Sequence, residues 1–205
     1  LVSSLYNIVD QVFIGQGVGY LGNSATNVSY PLTTICLALS LLIGIGSASR
    51  FSLALGAGEK EQAGKVVGCG IAMMLLSGII YTVLIEIFLY PMLTAFGATA
   101  ENIEYAATYS RIIAIGMPFQ IITTSMSNLI RADGSPKYSM TCMLIGAILN
   151  TILDPVFIFI FDLGVAGAAW ATIIGQFFSF VAAIAYVRKF KSIHLRRSDI
   201  RLDLK

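Results

Sequence analysis

The sequence predicts an all-α integral membrane protein, a bundle of six transmembrane helices. Composition is the first reason. Of 205 residues, 57% are hydrophobic and only 12% charged, with a mean hydropathy of +0.82. A soluble domain carries roughly a quarter charged residues, so this chain has too few to cover a water-facing surface. Run length is the second reason. The apolar stretches approach the ~20 residues a helix needs to cross a bilayer, and they far exceed the strands of a membrane barrel.

Six segments follow in order. The first, residues 1–15, is too short to span and is expected to lack its beginning, since Leu1 already sits in a running helix. The others cover about 30–55, 66–89, 105–130, 138–161 and 165–186. Residues 1–187 read as one helical lobe and 188–205 as a basic tail. Short loops rich in turn formers separate several segments: Gly56 to Lys60, Ala132 to Pro136, and Asp162-Leu163-Gly164. Such loops make sequential helices antiparallel neighbours. Glycines inside the apolar runs, among them Gly44, Gly68, Gly78 and Gly146, suit close helix packing in lipid.

The net charge of +2 matters less than where the charges lie. Arg50, Lys60 and Lys65 flank one loop, Arg131 and Lys137 another, and the rest of the basic residues begin the tail at Arg188. Only Arg111 falls on the opposite side of this helix map. By the positive-inside rule the tail and both loops are cytoplasmic. Cys36, Cys69 and Cys142 all lie in apolar runs and read as small packing residues. His194 is the single histidine, so no zinc site built on histidines is expected. No catalytic constellation is expected either.

Three acids fall within spans: Asp10, Glu86 and Asp154. Ionisable groups there are costly and face a bundle interior or a water-filled cavity. Asp154 lies in Asn150-Thr151-Ile152-Leu153-Asp154-Pro155, where Asn150 and Asp154 share a helix face at i, i+4. Pro155 has no N–H for the Thr151 carbonyl. Carboxylate, amide oxygen and loosened carbonyl together offer a place for a proton or a small hard cation. The alternative is a proline kink whose acid is hydrogen-bonded to a neighbouring helix. Asp10 pairs with Asn7 at i, i+3, or else caps at the interface. Glu86, before Tyr90-Pro91, is expected to snorkel. Gln120, Thr123 and their neighbours in the fourth segment read as helix–helix glue, with Asn128 a supporting candidate. Thr172 and Gln176 pair at i, i+4 in the sixth, and Thr172 could instead bond back to its own helix.

These stretches together resemble the N-terminal half of the multidrug and toxic compound extrusion (MATE) family. The resemblance rests on Leu5 to Asp10 with Phe13-Ile14-Gly15, on Gly44 to Arg50 continuing through Leu55-Gly56-Ala57-Gly58, and on Gly116-Met117-Pro118. It continues in the Arg131 to Pro136 turn, Asn150 to Pro155, and Gly164 to Ala169 leading to Thr172. The resemblance implies one lobe of a twelve-helix secondary transporter, with residues 188–205 a cytoplasmic linker toward a second six-helix lobe that this chain lacks. It implies antiport: an amphipathic or cationic small molecule leaves the cell in exchange for H⁺ or Na⁺, with no other cofactor and no nucleic acid. It also implies a coupling site at Asp10 and Asp154 with Asn150 and Thr172, where Na⁺ could bind, supported by Asn7, Asn128 and Gln176. The expected location is the plasma membrane, multi-pass. A lipid-intermediate flippase and a non-transporting membrane scaffold are the other readings. The topology is testable: cysteines at Lys60, Ser135 and Ser192 should label from the cytoplasm and one at Thr99 from outside, whereas labelling of Thr99 and Ser135 from one side would sink the helix map.

Overall fold

The computed structural model describes residues 11–193, and all its regular structure is helical. Helix α1 is described at residues 11–17. Five long helices follow: α2 (Tyr20–Gly56), α3 (Lys60–Ala95), α4 (Ile103–Ala132), α5 (Pro136–Pro155) and α6 (Gly164–Ala185). A π-helical turn, Val156–Ile160, prolongs α5, and a 3-10 turn, Tyr186–Lys189, prolongs α6. All five are long and apolar enough to cross a membrane. The remaining segment expected from sequence, the first, includes residues 1–10, which lie outside the described residues.

The helices run past the apolar segments at nearly every end. The largest difference is in α2, which begins ten residues before the expected start at Tyr30. Residues 20–29 are polar, with Asn23, Ser24, Thr26, Asn27 and Ser29, and so carry no hydropathy signal. Ser24, Thr26 and Ser29 find hydrogen-bond partners within the protein instead. Thr26 and Ser29 donate to the Asn23 and Ala25 carbonyls, at 3.0 and 2.9 Å. Asn102 Nδ2 donates to Ser24 Oγ (2.7 Å), and Ser110 Oγ to Ser29 Oγ (2.8 Å).

Three helices end in the same way. Gly58, Gly97 and Gly134 have φ of 80°, 95° and 76°, and each closes a cap in which the following N–H reaches back across the last turn. These bonds are Glu59 N to Ala54 O, Ala98 N to Leu93 O and Ser135 N to Ile130 O, at 2.9, 2.9 and 3.0 Å. This left-handed cap is the usual work of glycine, and it reverses the chain in a few residues. In α3 the backbone departs from helical geometry at Phe88 (φ −107°, ψ 18°), three residues before Pro91. A proline ring crowds the carbonyl four residues back and removes its hydrogen bond, which accounts for the kink. Glu86 is exposed just before it.

Helix α4 is the post of the bundle. Met117, Ile121, Met126 and Leu129 are fully buried. Its polar contacts with α2 rise together along both chains, from Ser24–Asn102 through Ser29–Ser110 to Ser125 Oγ donating to Ser40 O (2.7 Å), so the two helices are parallel. Helix α3 packs against both and runs the other way: Tyr81 donates to Leu32 O (2.6 Å), and along α4 Gly78 lies against Pro118 while Thr82 donates to Ala114 O (2.9 Å). Large aliphatic side chains point outward, with Leu42 72% and Ile87 64% exposed. An outward face of this kind suits lipid and would be a liability in water.

The basic segments meet at one end of the bundle. The buried Asp133, in the α4–α5 turn, accepts from Tyr186 Oη (2.7 Å) and from the backbone N–H of Lys191 (2.8 Å) and Ser192 (3.1 Å). Phe190 packs edge-on against Phe51 of α2 and against Tyr186. The packed part of the lobe therefore continues past residue 187 to Ile193, which is buried. Ser135 is also buried, so the exposed Lys137 is the better label site in that turn.

Helices α5 and α6 come into close backbone contact at two glycines. A Cβ added at Gly146 would stand 2.8 Å from the Gly175 carbonyl oxygen, and one at Gly175 would stand 2.6 Å from the Gly146 carbonyl oxygen. Neither backbone has room to yield without parting the helices. Gly146→Val should therefore destabilise the bundle by about 1–3 kcal/mol, the usual cost of overpacking. Thermal unfolding in detergent would show it; a midpoint equal to wild type would contradict the close approach.

Candidate functional site

The α5–α6 seam has a regular construction. From the basic end it carries Tyr138 Oη donating to Ala182 O (3.0 Å), Ser179 Oγ to Cys142 O (2.8 Å), the Gly146–Gly175 crossing, and Asn150 Nδ2 to Thr172 Oγ1 (3.2 Å). The α5 positions step by four residues and those of α6 by three or four in the opposite sense, the repeat of facing antiparallel helices. Only the glycine pair brings the helices close enough for the short Asn150 and Thr172 side chains to touch. The Asn150 Cβ lies 3.4 Å from where a Gly175 Cβ would stand.

Asn150 is the hub. Its amide nitrogen donates to Thr172 and also to Asp154 Oδ1 (3.1 Å) on its own helix, using both N–H groups. Asp154 is wholly buried and Asn150 nearly so. The Asn150 Oδ1 atom is buried and has no hydrogen-bond partner among the described residues. A carboxylate and an orphaned amide oxygen on adjacent turns form an acceptor-rich spot, and such a spot suits a proton or a small cation. The backbone there is loosened as well. Pro155 offers no N–H to Thr151 O, and the Val156 N–H turns to Leu153 O. The π turn then begins, with Phe161 N bonding Val156 O at 3.0 Å. Single π turns of this kind recur at functional sites. The described end of α1 rests on this turn, with Phe13 edge-on to Phe159 at 6.2 Å between ring centroids.

Of the residues singled out from sequence, Asn150, Asp154 and Thr172 come together. Asp10 and Asn7 lie outside the described residues, so their place in the cluster is not described. Gln176, one turn along α6 from Thr172, donates to Gln120 Oε1 of α4 (3.2 Å), and its own buried Oε1 lies over Gly116 without a hydrogen-bond partner among the described residues. Gln120 thus extends the polar strip from α6 to α4 and joins the two helices, as its reading as helix–helix glue expects. Asn128 stands elsewhere. It donates to Thr124 O (3.0 Å), accepts from Arg131 Nη2 (3.1 Å) and lies against Gly44 at the α2–α4 contact. Its bonds are spent within α4, so it holds Arg131. Asp133 sits in a turn-forming stretch of sequence, but its partner Tyr186 lies 53 residues away and no local pattern marks the pair.

The hub has a measurable consequence. Asn150→Leu strips Asp154 and Thr172 of a buried donor and should cost about 1–3 kcal/mol. Replacing Asp154 by Leu as well should recover part of that loss, since removing both partners is cheaper than orphaning one. Unfolding midpoints for the single and double variants would read the coupling, and strictly additive losses would mean the bond contributes nothing.

The comparisons with known proteins agree with this architecture. The MatE family model matches residues 1–156. Multidrug export protein MepA of Staphylococcus saprophyticus is 33% identical over 205 residues, covering 98% of this chain and 43% of that relative. Probable multidrug resistance protein YoeA of Bacillus subtilis is 28% identical over 195 residues, covering 93% of this chain and 42% of that relative. A crystal structure of MATE in the bent conformation superposes with a TM-score of 0.92 at 25% identity, covering 99% of this chain and 46% of that one. An inward-facing multidrug resistance MATE family transporter superposes with a TM-score of 0.91 at 25% identity, covering 98% of this chain and 46% of that one. The chain spans less than half the length of the relatives it matches. It carries one lobe of their fold and, in its apolar helices, the means to be a multi-pass membrane protein: the chain belongs to the MATE family.

Proposed function

We propose that this lobe carries the coupling-ion site of a cation-coupled antiporter that exports organic cations or drugs. The observation that supports it is the Asn150 amide bonded at once to Asp154 and Thr172, with Asp154 fully buried. A carboxylate removed from water is costly in its charged form. Proton or Na⁺ uptake relieves that cost, and release restores it. The relief acts on a hub that ties α5 to α6 beside a proline and a π turn, so loading the site biases how the two helices pack. A cationic substrate and the coupling ion then compete for the same negative charge. Antiport follows if each prefers one of two conformations of the whole transporter. Asp10 is proposed as the second acid, with Asn7 beside it. The basic end of the bundle is proposed to face the cytoplasm, and a second lobe of the same transporter to complete the substrate path.

A lipid-intermediate flippase would want cationic side chains deep in the bundle for a pyrophosphate headgroup. Among the described residues Arg50, Arg111 and Arg131 stand within two to three turns of helix ends instead. A scaffold would leave the buried acid and its amide without purpose.

In the complete transporter, Asp154→Asn keeps the shape and removes the ionisable group. Proton- or sodium-driven efflux of a fluorescent organic cation from cells should be abolished, while the amount of protein in the membrane fraction and its elution in detergent stay normal. A correctly inserted variant that pumps at the wild-type rate would end the assignment.

A further inference from the structure

At the basic end, between the last turns of α2 and the first turns of α3, lies a groove of about 600 Å³. Ligand sites commonly fall between about 300 and 1,000 Å³. The lining changes character along its length. Arg50, Lys65 and Gln62 stand at its outer end, with Ser47 and Ser49 beside them. Toward the middle of the helices it becomes apolar, with Leu42 and Met73. Eight residues separate Leu42 from Arg50, and eight separate Lys65 from Met73, about 12 Å at 1.5 Å per residue. The headgroup zone of one leaflet is roughly 5–8 Å deep beyond the hydrocarbon. The groove is therefore long enough to run from headgroup level into the acyl chains.

Most of its polar groups are unused among the described residues. Arg50, Gln62, Ser47 and Ser49 make no hydrogen bond or ion pair among the described residues. Serines elsewhere in the bundle, such as Ser29, Ser40 and Ser77, turn back onto their own helix. Among the described residues Lys65 pairs with Glu61 alone, at 3.1 Å, in an exposed i, i+4 pair. Such a pair is weak and leaves further ammonium protons to give. Gly46 opens the floor: a Cβ built there meets nothing within 4 Å.

We propose that this groove binds an anionic phospholipid of the surrounding leaflet, with the phosphate held by Arg50 and Lys65 and an acyl chain laid along Leu42 and Met73. Basic pockets between helices at the membrane surface recognise anionic headgroups in this way. A soluble anion would gain nothing from the apolar half. A second copy of the chain would bring its own basic end and set like charges together.

The test uses the protein at its full natural length in detergent, with native mass spectrometry of bound lipid. Dioleoylphosphatidylglycerol should be retained over dioleoylphosphatidylcholine by about tenfold. Arg50→Gln combined with Lys65→Gln should bring the ratio to about one, the headgroup charge being the discriminator. Gly46→Leu, which fills the groove and keeps both cations, should abolish phosphatidylglycerol retention. Lys60→Gln, exposed and outside the groove, should leave the ratio unchanged, and millimolar inorganic phosphate should not displace the lipid. Either groove variant alone decides the matter once circular dichroism and thermal unfolding show it folded. Equal retention of the two lipids by wild type, or wild-type preference in a folded groove variant, overturns the proposal. So does displacement by phosphate, which makes the site one for soluble anions, or a change in oligomer mass in place of the lipid adduct, which makes the occupant a second copy. Efflux is not measured, so failure here leaves the antiport reading untouched, and the converse holds.

Discussion

Backbone contact between α5 and α6 at Gly146 and Gly175 is the constraint from which the polar site follows. Asn150 and Thr172 are short side chains and meet only where two helix axes are unusually close. In lipid the hydrophobic effect does not drive helices together, and small residues that allow close van der Waals approach take its place. The same approach shelters Asp154 from solvent. A larger residue at either glycine would part the seam, expose the acid and break the hub in one move. Packing and chemistry here are a single feature.

The rest of the bundle obeys the same rule with different groups. Gly44 lies against the Ser125 backbone and Gly78 against Pro118, so α4 is approached closely by α2 and α3 as well. Serine and threonine hydroxyls then bridge helices where a backbone carbonyl comes within reach, as Ser125 does to Ser40 and Thr82 to Ala114. These bonds join faces that lipid would otherwise solvate equally well, and they set the register of neighbouring helices.

The two ends of the lobe divide the work. Asp154 lies eighteen residues into α5 from Pro136, about 27 Å from the basic end at 1.5 Å per residue. At that basic end Asp133 ties the chain after α6 to the α4–α5 turn through two backbone N–H groups and Tyr186. The chain after α6 is therefore held against the α4–α5 turn as far as Ser192. The groove between α2 and α3 belongs to the same end, well away from the acid and on different helices.

The all-helical class, the order of the spans, the gathering of basic residues at one end and the Asn150–Asp154 pair were all legible in the sequence. Each depends on local chemistry: apolar run length, glycine and proline at turns, and the i, i+4 geometry of one helix. The first ten residues of α2 were not legible, because polar residues whose hydroxyls bond within the bundle look like loop. Nor was the separation of Asn128 from Gln120, two polar residues of one helix whose roles depend on which neighbour each faces. Thr172 as the partner of Asn150, Tyr186 as the partner of Asp133 and the α2–α3 groove are contacts between distant stretches of chain. Sequence alone determined what each helix could offer. The tertiary structure decided which offers met, because in an apolar solvent the distance between two helix axes depends on where small residues from both happen to face each other.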